Sequence, residues 1–195
     1  AWCNSTGNQL ISKETAGGKS VVVIEKGEPK SCNIVTSCEG KGKTFIMFSD
    51  DLDKALATFV LANGAAATGQ KVTIFFTFWG LNVIKKLHKP NVEKDIFGKM
   101  FGMMLPSSSR KLKLSKMSMG GIGGKMMRYI MNRKGIDSLE SLRQQALENG
   151  VEFIACQMSM DVMGVKQEEL LDEVTIGGVA TYMERADNAN INLFI

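Results

Sequence analysis

Apolar residues along this chain fall into short continuous runs, each followed by a stretch with helical spacing. KTFIMFS from Lys43 and QKVTIFFTF from Gln70 show no polar alternation, the pattern of strands buried on both faces. Between them, DDLDKALATFVLANGAAATG places Leu52, Ala55, Leu56, Phe59, Val60 and Ala66 on one helical face, opened by Asp50 and Asp51 and closed at Gly69. DSLESLRQQALENG predicts a further helix with an Asp137/Glu140 capping box, Leu139, Leu142, Ala146 and Leu147 facing inward, and Gly150 just past its end. GVEFIACQMSMDVMG then gives a strand ending on Cys156, broken by Gln157, Ser159 and Asp161. A short strand over Glu173–Ile176, a helix from Gly178 to Ala186 and a closing strand NINLFI complete the series.

Five short strands alternating with helices predict an α/β domain over 43–195, a mainly parallel five-stranded sheet with helices on both faces in flavodoxin- or Rossmann-like layers. Ahead of it, β-like stretches at Asn8–Glu14 and Ser20–Ile24 flank Ala16-Gly17-Gly18 and predict a short N-terminal β-hairpin within 1–26. Residues 27–42, rich in Lys, Gly, Ser and Cys without a sustained period, read as a linker. The pattern lapses at about 90–134, where the chain carries a basic, Met- and Gly-rich insertion.

Composition sharpens that picture. A chain of 195 residues with 44% hydrophobic and 23% charged content is globular, and its length suits one domain plus an appendage. No apolar run reaches the roughly 18–20 residues of a membrane span, and the opening AWCNSTGNQL has neither an initiator Met nor the layout of a signal peptide, so it reads as the start of a piece cut from a longer protein. Of the 24 Lys and Arg, nine lie between Ile96 and Ile136, where there is no Asp or Glu; the other fifteen face all 20 acidic residues. The block attracts anionic partners through a field that salt screens; nucleic acid is not expected among them and membrane contact is not expected. Eight of the 13 Met fall between Met100 and Met131, interleaved with Gly, Ser and Lys. They serve either as core filler or as an adaptable surface or lid.

Cys3, Cys32, Cys38 and Cys156 form no CxxC pair, and a chain this large does not depend on disulfides, so the thiols are read as reduced and the protein as cytoplasmic. With His88 as the single histidine, far from the Cys32/Cys38 pair in sequence, no zinc site is expected. Cys156 is either a buried structural thiol or a nucleophile. If QMSMDVM begins a helix, the thiol lies at its amino end, where unpaired N–H groups favour thiolate over thiol. No histidine nearby in sequence could act as its base, which turns the chemistry away from a protease-like dyad. GGIGGKMM, carrying Gly120, Gly121, Gly123, Gly124 and Lys125, lacks P-loop spacing because Met126 follows the lysine; it is a flexible hinge, an anion or cofactor site, or a stretch with no special role. Asp50, Asp51 and Asp53 at a helix start are read as capping charges, with metal binding the lesser alternative. Lys111, Lys113 and Lys116 join the glycines and Lys125 as candidates for gating or partner binding.

FIMFSDDLDKALATFVLANGAAATGQKVTIFFTFWGLNVIKK, LSKMSMGGIGGKMM, ACQMSMDVMG and GGVATYMERADNANINLFI together cover nearly all of 43–195. On these motifs the domain resembles the DsrE/DsrF-like family, in the subgroup with a long Met-rich insertion. AWCNSTGNQLIS and the hairpin resemble the tail of a TusA-like sulfur-carrier domain, without that family's CPxP-type motif. The resemblance implies a sulfur-relay protein, a persulfide carrier or sulfurtransferase, in which Cys156 accepts and passes on sulfane sulfur with no cofactor beyond the covalent persulfide. It further implies TusA-like, rhodanese-like or CoA-disulfide-reductase-like partner modules, some in one polypeptide, and a homo-oligomer. The alternative is a non-catalytic interaction or membrane-surface docking module acting through the basic insertion; a nucleotide or CoA site in the sheet crevice is a third reading.

Overall fold

The computed structural model describes residues 9–16, 19–25, 42–88, 90, 92, 98, 100, 102, 104–117 and 119–195. The chain divides into two compact units, residues 1–39 and 40–195. In the first, β1 (Gln9–Ala16) and β2 (Lys19–Glu25) pair antiparallel, with Ala16 opposite Lys19 and a register shift between Leu10 and Ser12. The predicted hairpin is therefore present, its strands a residue or two longer than expected. Cys3, Cys32, Cys38, the Gly17-Gly18 turn and nearly all of the linker lie outside the described residues.

The second unit is built on β3 (Gly42–Met47), β4 (Val72–Phe76), β5 (Glu152–Cys156), β6 (Thr175–Gly177) and β7 (Ala189–Phe194), in the order β6-β5-β4-β3-β7. Every neighbouring pair is parallel. All five positions of β4 are buried, as its unbroken VTIFF run requires of a central strand covered on both faces.

Helices α1 (Leu52–Ala67) and α3 (Leu139–Glu148) cover one face. α1 buries Leu52, Ala55, Phe59 and Ala62 there, and Phe59 meets Phe153 at 5.7 Å between ring centroids, with Phe76 and Phe153 at 5.4 Å beneath it. The opposite face is covered by α5 (Val179–Asp187), whose Tyr182 lies on Phe75 with centroids 5.2 Å apart. α4 (Gln157–Met163) continues directly from β5. Gly80 is fixed by contact: a Cβ there would stand 1.9 Å from the Met47 carbonyl oxygen.

Two helix starts differ from expectation. The N-cap of α3 is Ser138, whose hydroxyl accepts from the Ser141 N–H at 3.1 Å, while Glu140 turns away to Ser109 and Arg128. A cap at 138 places Ser141, not Glu140, at the third helical position, so the Asp137/Glu140 box does not form. At α1, Asp51 is the N-cap but its side chain makes no capping bond; the Leu52 N–H donates instead to the Lys113 carbonyl at 2.7 Å.

That bond belongs to the insertion, which is built into the domain. Leu105 and Leu112 lie in the main core, with Leu114 and Met127 packed against it. It also contains α2 (Ile122–Arg133), which no sequence pattern announced because glycines occupy its first turn. Among the described residues, no helix is long and apolar enough to cross a membrane.

Candidate functional site

Alternation along β5 divides its side chains between the two faces. Phe153 and Ala155 enter the main core, whereas Ile154 and Cys156 form a smaller cluster with Phe75 and Tyr182. Cys156 is the strand's last residue and the N-cap of α4, with extended backbone (φ −71°, ψ 114°), and its side chain makes no capping bond. The sequence-predicted junction of strand end and helix start is thus present. The thiol is only 1% exposed, so access to it needs displacement of its neighbours.

α4 is held from both ends. The Thr77 and Ser159 hydroxyls are 2.8 Å apart, joining it to the end of β4. At its other end Gly164 (φ 60°) is so close to the insertion that a Cβ would lie 2.5 Å from the Gly98 Cα. Gly98 thus stands near the carboxyl edge of the parallel sheet, where ligands of such folds bind.

The insertion grips that edge at several points. Ser115 donates through its N–H to Asp53 Oδ1 at 2.9 Å and through its hydroxyl to Asp53 Oδ2. Burial pushes the Asp53 carboxyl up, but the two Ser115 bonds outweigh it and hold the group below the usual carboxylate range. Arg128 pairs with Glu140 at 3.2 Å and donates to the Ser109 carbonyl at 2.9 Å, while the buried Ser109 hydroxyl donates to Glu140. Gly123 and Gly124 are buried by close approach: a Cβ on Gly123 would stand 2.1 Å from the Met117 carbonyl oxygen, and one on Gly124 would stand 3.1 Å from that of Leu112. Gly120 and Gly121 have left-handed backbone at φ 68° and 97°. The glycines therefore seat α2 on residues 112–117. Lys116 and Lys125 are exposed, as are Met100, Met104, Met117, Met119 and Met126.

Lys111 and Lys113 stand apart from the other candidates because they line a cleft of about 600 Å³ together with Asp50, Trp79, Met104 and Leu105. Behind Asp50 are two buried polar residues that sequence reasoning missed. Asn82 donates to Asp50 Oδ2 at 3.0 Å, and Lys85 donates to the Pro106 carbonyl at 3.3 Å. Burial raises the Asp50 carboxyl, with the Asn82 bond opposing. The signal for Asn82 was WGLN, shortly after the end of β4, which puts polar and aromatic residues near a strand end. The three acidic residues of DDLD are dispersed to separate partners: Asp50 to Asn82, Asp51 to Ser49 and Lys54, Asp53 to Ser115. Among the described residues no group of three or more metal-ligating side chains comes together.

These features define a parallel-sheet α/β protein with a buried thiol at the carboxyl end of an inner strand. Comparison with known sequences makes the class specific: residues 40–194 match the DsrE/DsrF/DrsH-like family, and the chain belongs to it. It is 44% identical over 155 residues to YrkE of Bacillus subtilis (strain 168), covering 80% of this chain and 97% of that protein. It is 38% identical over 161 residues to the sulfur carrier protein DsrE2 of Allochromatium vinosum, covering 80% of this chain and 99% of that protein. Among solved structures, it aligns with the ychN protein from E. coli at a TM-score of 0.47 and 9% identity, over 80% of this chain and 99% of that one.

Proposed function

We propose that this protein is a sulfur-relay carrier that holds sulfane sulfur as a persulfide on Cys156. The observation that carries the reading is the likeness to a sulfur carrier over 80% of this chain, in a chain whose strand-end residue is a cysteine. In the proposed step the Cys156 thiolate attacks the outer sulfur of a donor persulfide. A new S–S bond forms on Cys156, the donor's S–S bond breaks, and the donor leaves as a thiolate that takes up a proton; attack by an acceptor thiol on the outer sulfur reverses the logic. Because the thiol is buried, loading requires local opening around Tyr182 and α4.

The partners in this reading are TusA-like, rhodanese-like or CoA-disulfide-reductase-like modules, in a reducing cytoplasmic setting, with the basic insertion recruiting an acidic acceptor. A second copy of the chain is a further partner, supported by the exposed apolar side chains of Val179 and Met183 on α5 and Ile191 and Phe194 on β7. Intact-mass spectrometry after incubation with a sulfane-sulfur donor tests the reading. The expected result is a gain of sulfur that survives Cys3→Ser, Cys32→Ser and Cys38→Ser and disappears in Cys156→Ser. Loading that persists in Cys156→Ser sinks the assignment and leaves the insertion as an interaction module.

A further inference from the structure

We infer that the cleft at the carboxyl ends of β3 and β4 binds a small organic anion carrying a thiol or persulfide, with Lys111 and Lys113 holding its acidic groups and Trp79 and Met104 its stem. That the ligand carries sulfur rests on the sulfur-relay reading; the binding site itself rests on the cleft.

The volume, about 600 Å³, falls within the range of roughly 300–1,000 Å³ typical of small-molecule sites. Its carboxyl groups already have partners within the protein. Asp51 pairs with Lys54 at 2.9 Å, and Asp50 accepts from Asn82 at 3.0 Å. Neither Lys111 nor Lys113 makes an ion pair or side-chain hydrogen bond among the described residues, and both line the cleft. Trp79 at 43% exposed and Met104 at 77% offer an apolar, polarisable wall.

Asn82 backs Asp50 without itself lining the cleft. Asn82 is fully buried, and while its Nδ2 donates to Asp50, its Oδ1 has no partner among the described residues. The cleft and the thiol lie at the same edge of the sheet, but Cys156 itself is buried beside Phe75 and Tyr182, so exchange with a bound ligand needs local opening there. β4 lies between β3 and β5, so at about 4.8 Å per strand the end of β3 is about 10 Å from that of β5, where Cys156 sits. A tripeptide-sized stem spans about that distance when extended.

Two ligand sources share this chemistry, carboxylate-bearing peptide thiols and phosphate-bearing nucleotide thiols. Calorimetric titration with S-methylglutathione and with S-methyl-coenzyme A separates them, since thioethers cannot exchange with Cys156 and report binding alone. Saturable one-to-one binding of at least one is expected, weakened at least tenfold in the Lys111→Ala/Lys113→Ala double variant and unchanged in Lys134→Ala, a control from the same basic run. Which probe binds identifies the acidic group. Absence of binding by both at millimolar concentration, or binding that the double variant leaves intact, overturns the proposal. The sulfur-relay reading fails by a different result: if Cys156 takes up no sulfur while a thioether still binds, the relay falls and the cleft stands as an anion site.

Discussion

Replacing Tyr182 with Ala removes the ring that packs with Phe75, Ile154 and Cys156 on the α5 side of the sheet, and should convert a protected thiol into a reactive one. Tyr182 is 8% exposed, and its ring centroid lies 5.2 Å from that of Phe75. Truncating a buried aromatic costs about 3–5 kcal/mol, and a ring pair contributes about 0.5–1.5 kcal/mol of its own. If about 2–3 kcal/mol of this is lost from the step that opens α5 over Cys156, the opened fraction rises roughly 30- to 150-fold at tenfold per 1.4 kcal/mol. The assay is the rate of iodoacetamide alkylation at Cys156, read by peptide mass spectrometry in a Cys3→Ser, Cys32→Ser, Cys38→Ser background. Phe59→Leu is the control, because Phe59 is fully buried on the other face and its loss lowers global stability without uncovering the α5 side. Equal acceleration by both variants would show that the thiol is reached only by global unfolding. Alkylation of the unsubstituted protein as fast as a free thiol would refute the reasoning altogether.

Three further outcomes follow from particular contacts. Arg185, reaching Glu152 at 2.9 and 3.1 Å, holds that carboxyl below its usual range together with the Thr73 hydroxyl. The ionised form therefore stabilises the fold above the unfolded-state pKa, and that contribution disappears as pH falls through the depressed folded value. With both side chains about a third exposed, at 37% and 34%, Glu152→Gln should cost about 1 kcal/mol near neutral pH, a melting shift of about 2–4 °C, and nothing once both forms are protonated; melts across pH 2–7 in steps of about one unit check this, and a constant offset would refute it. Gly80→Ala should yield little soluble protein, since its Cβ would meet the Met47 carbonyl oxygen at 1.9 Å with backbone on both sides; a melting temperature within a few degrees of the parent would contradict that contact. Asp53→Ala removes both bonds from Ser115, a loss of about 1–2 kcal/mol confined to the insertion, so hydrogen exchange should quicken at residues 112–117 and not in β4.

The alternation of strands and helices was legible because each strand is an unbroken apolar run and each helix has a clear inward face. The junction at Cys156 was legible for the same reason, since Gln157, Ser159 and Asp161 interrupt the run where the strand ends. The burial of that thiol was not, because it depends on Tyr182 arriving from a distant helix. Helix caps failed where a distant segment took over the role: nothing near Leu52 in sequence points to the Lys113 carbonyl, and nothing near Glu140 announces Ser109 and Arg128. α2 was hidden because Gly123 and Gly124, poor helix formers in isolation, are placed by the backbone they pack against. Of the basic candidates, only the fold separates Lys111 and Lys113, at the cleft, from Lys116 and Lys125.

β7 pairs in parallel with β3, and Thr44 and Asn192, bonded across that pair, are 148 positions apart. During synthesis, β3 and β4 can pair long before β7 has been made, and until then one edge of β3 carries open backbone groups. Pairing at such separation is slow, and an open apolar edge is a template for other chains. A ribosome stalled before residue 189 would therefore release a chain whose α1, β4 and β5 can assemble but whose β3 edge invites aggregation. The risk to this protein in the cell is concentrated in the time between the translation of β3 and that of β7.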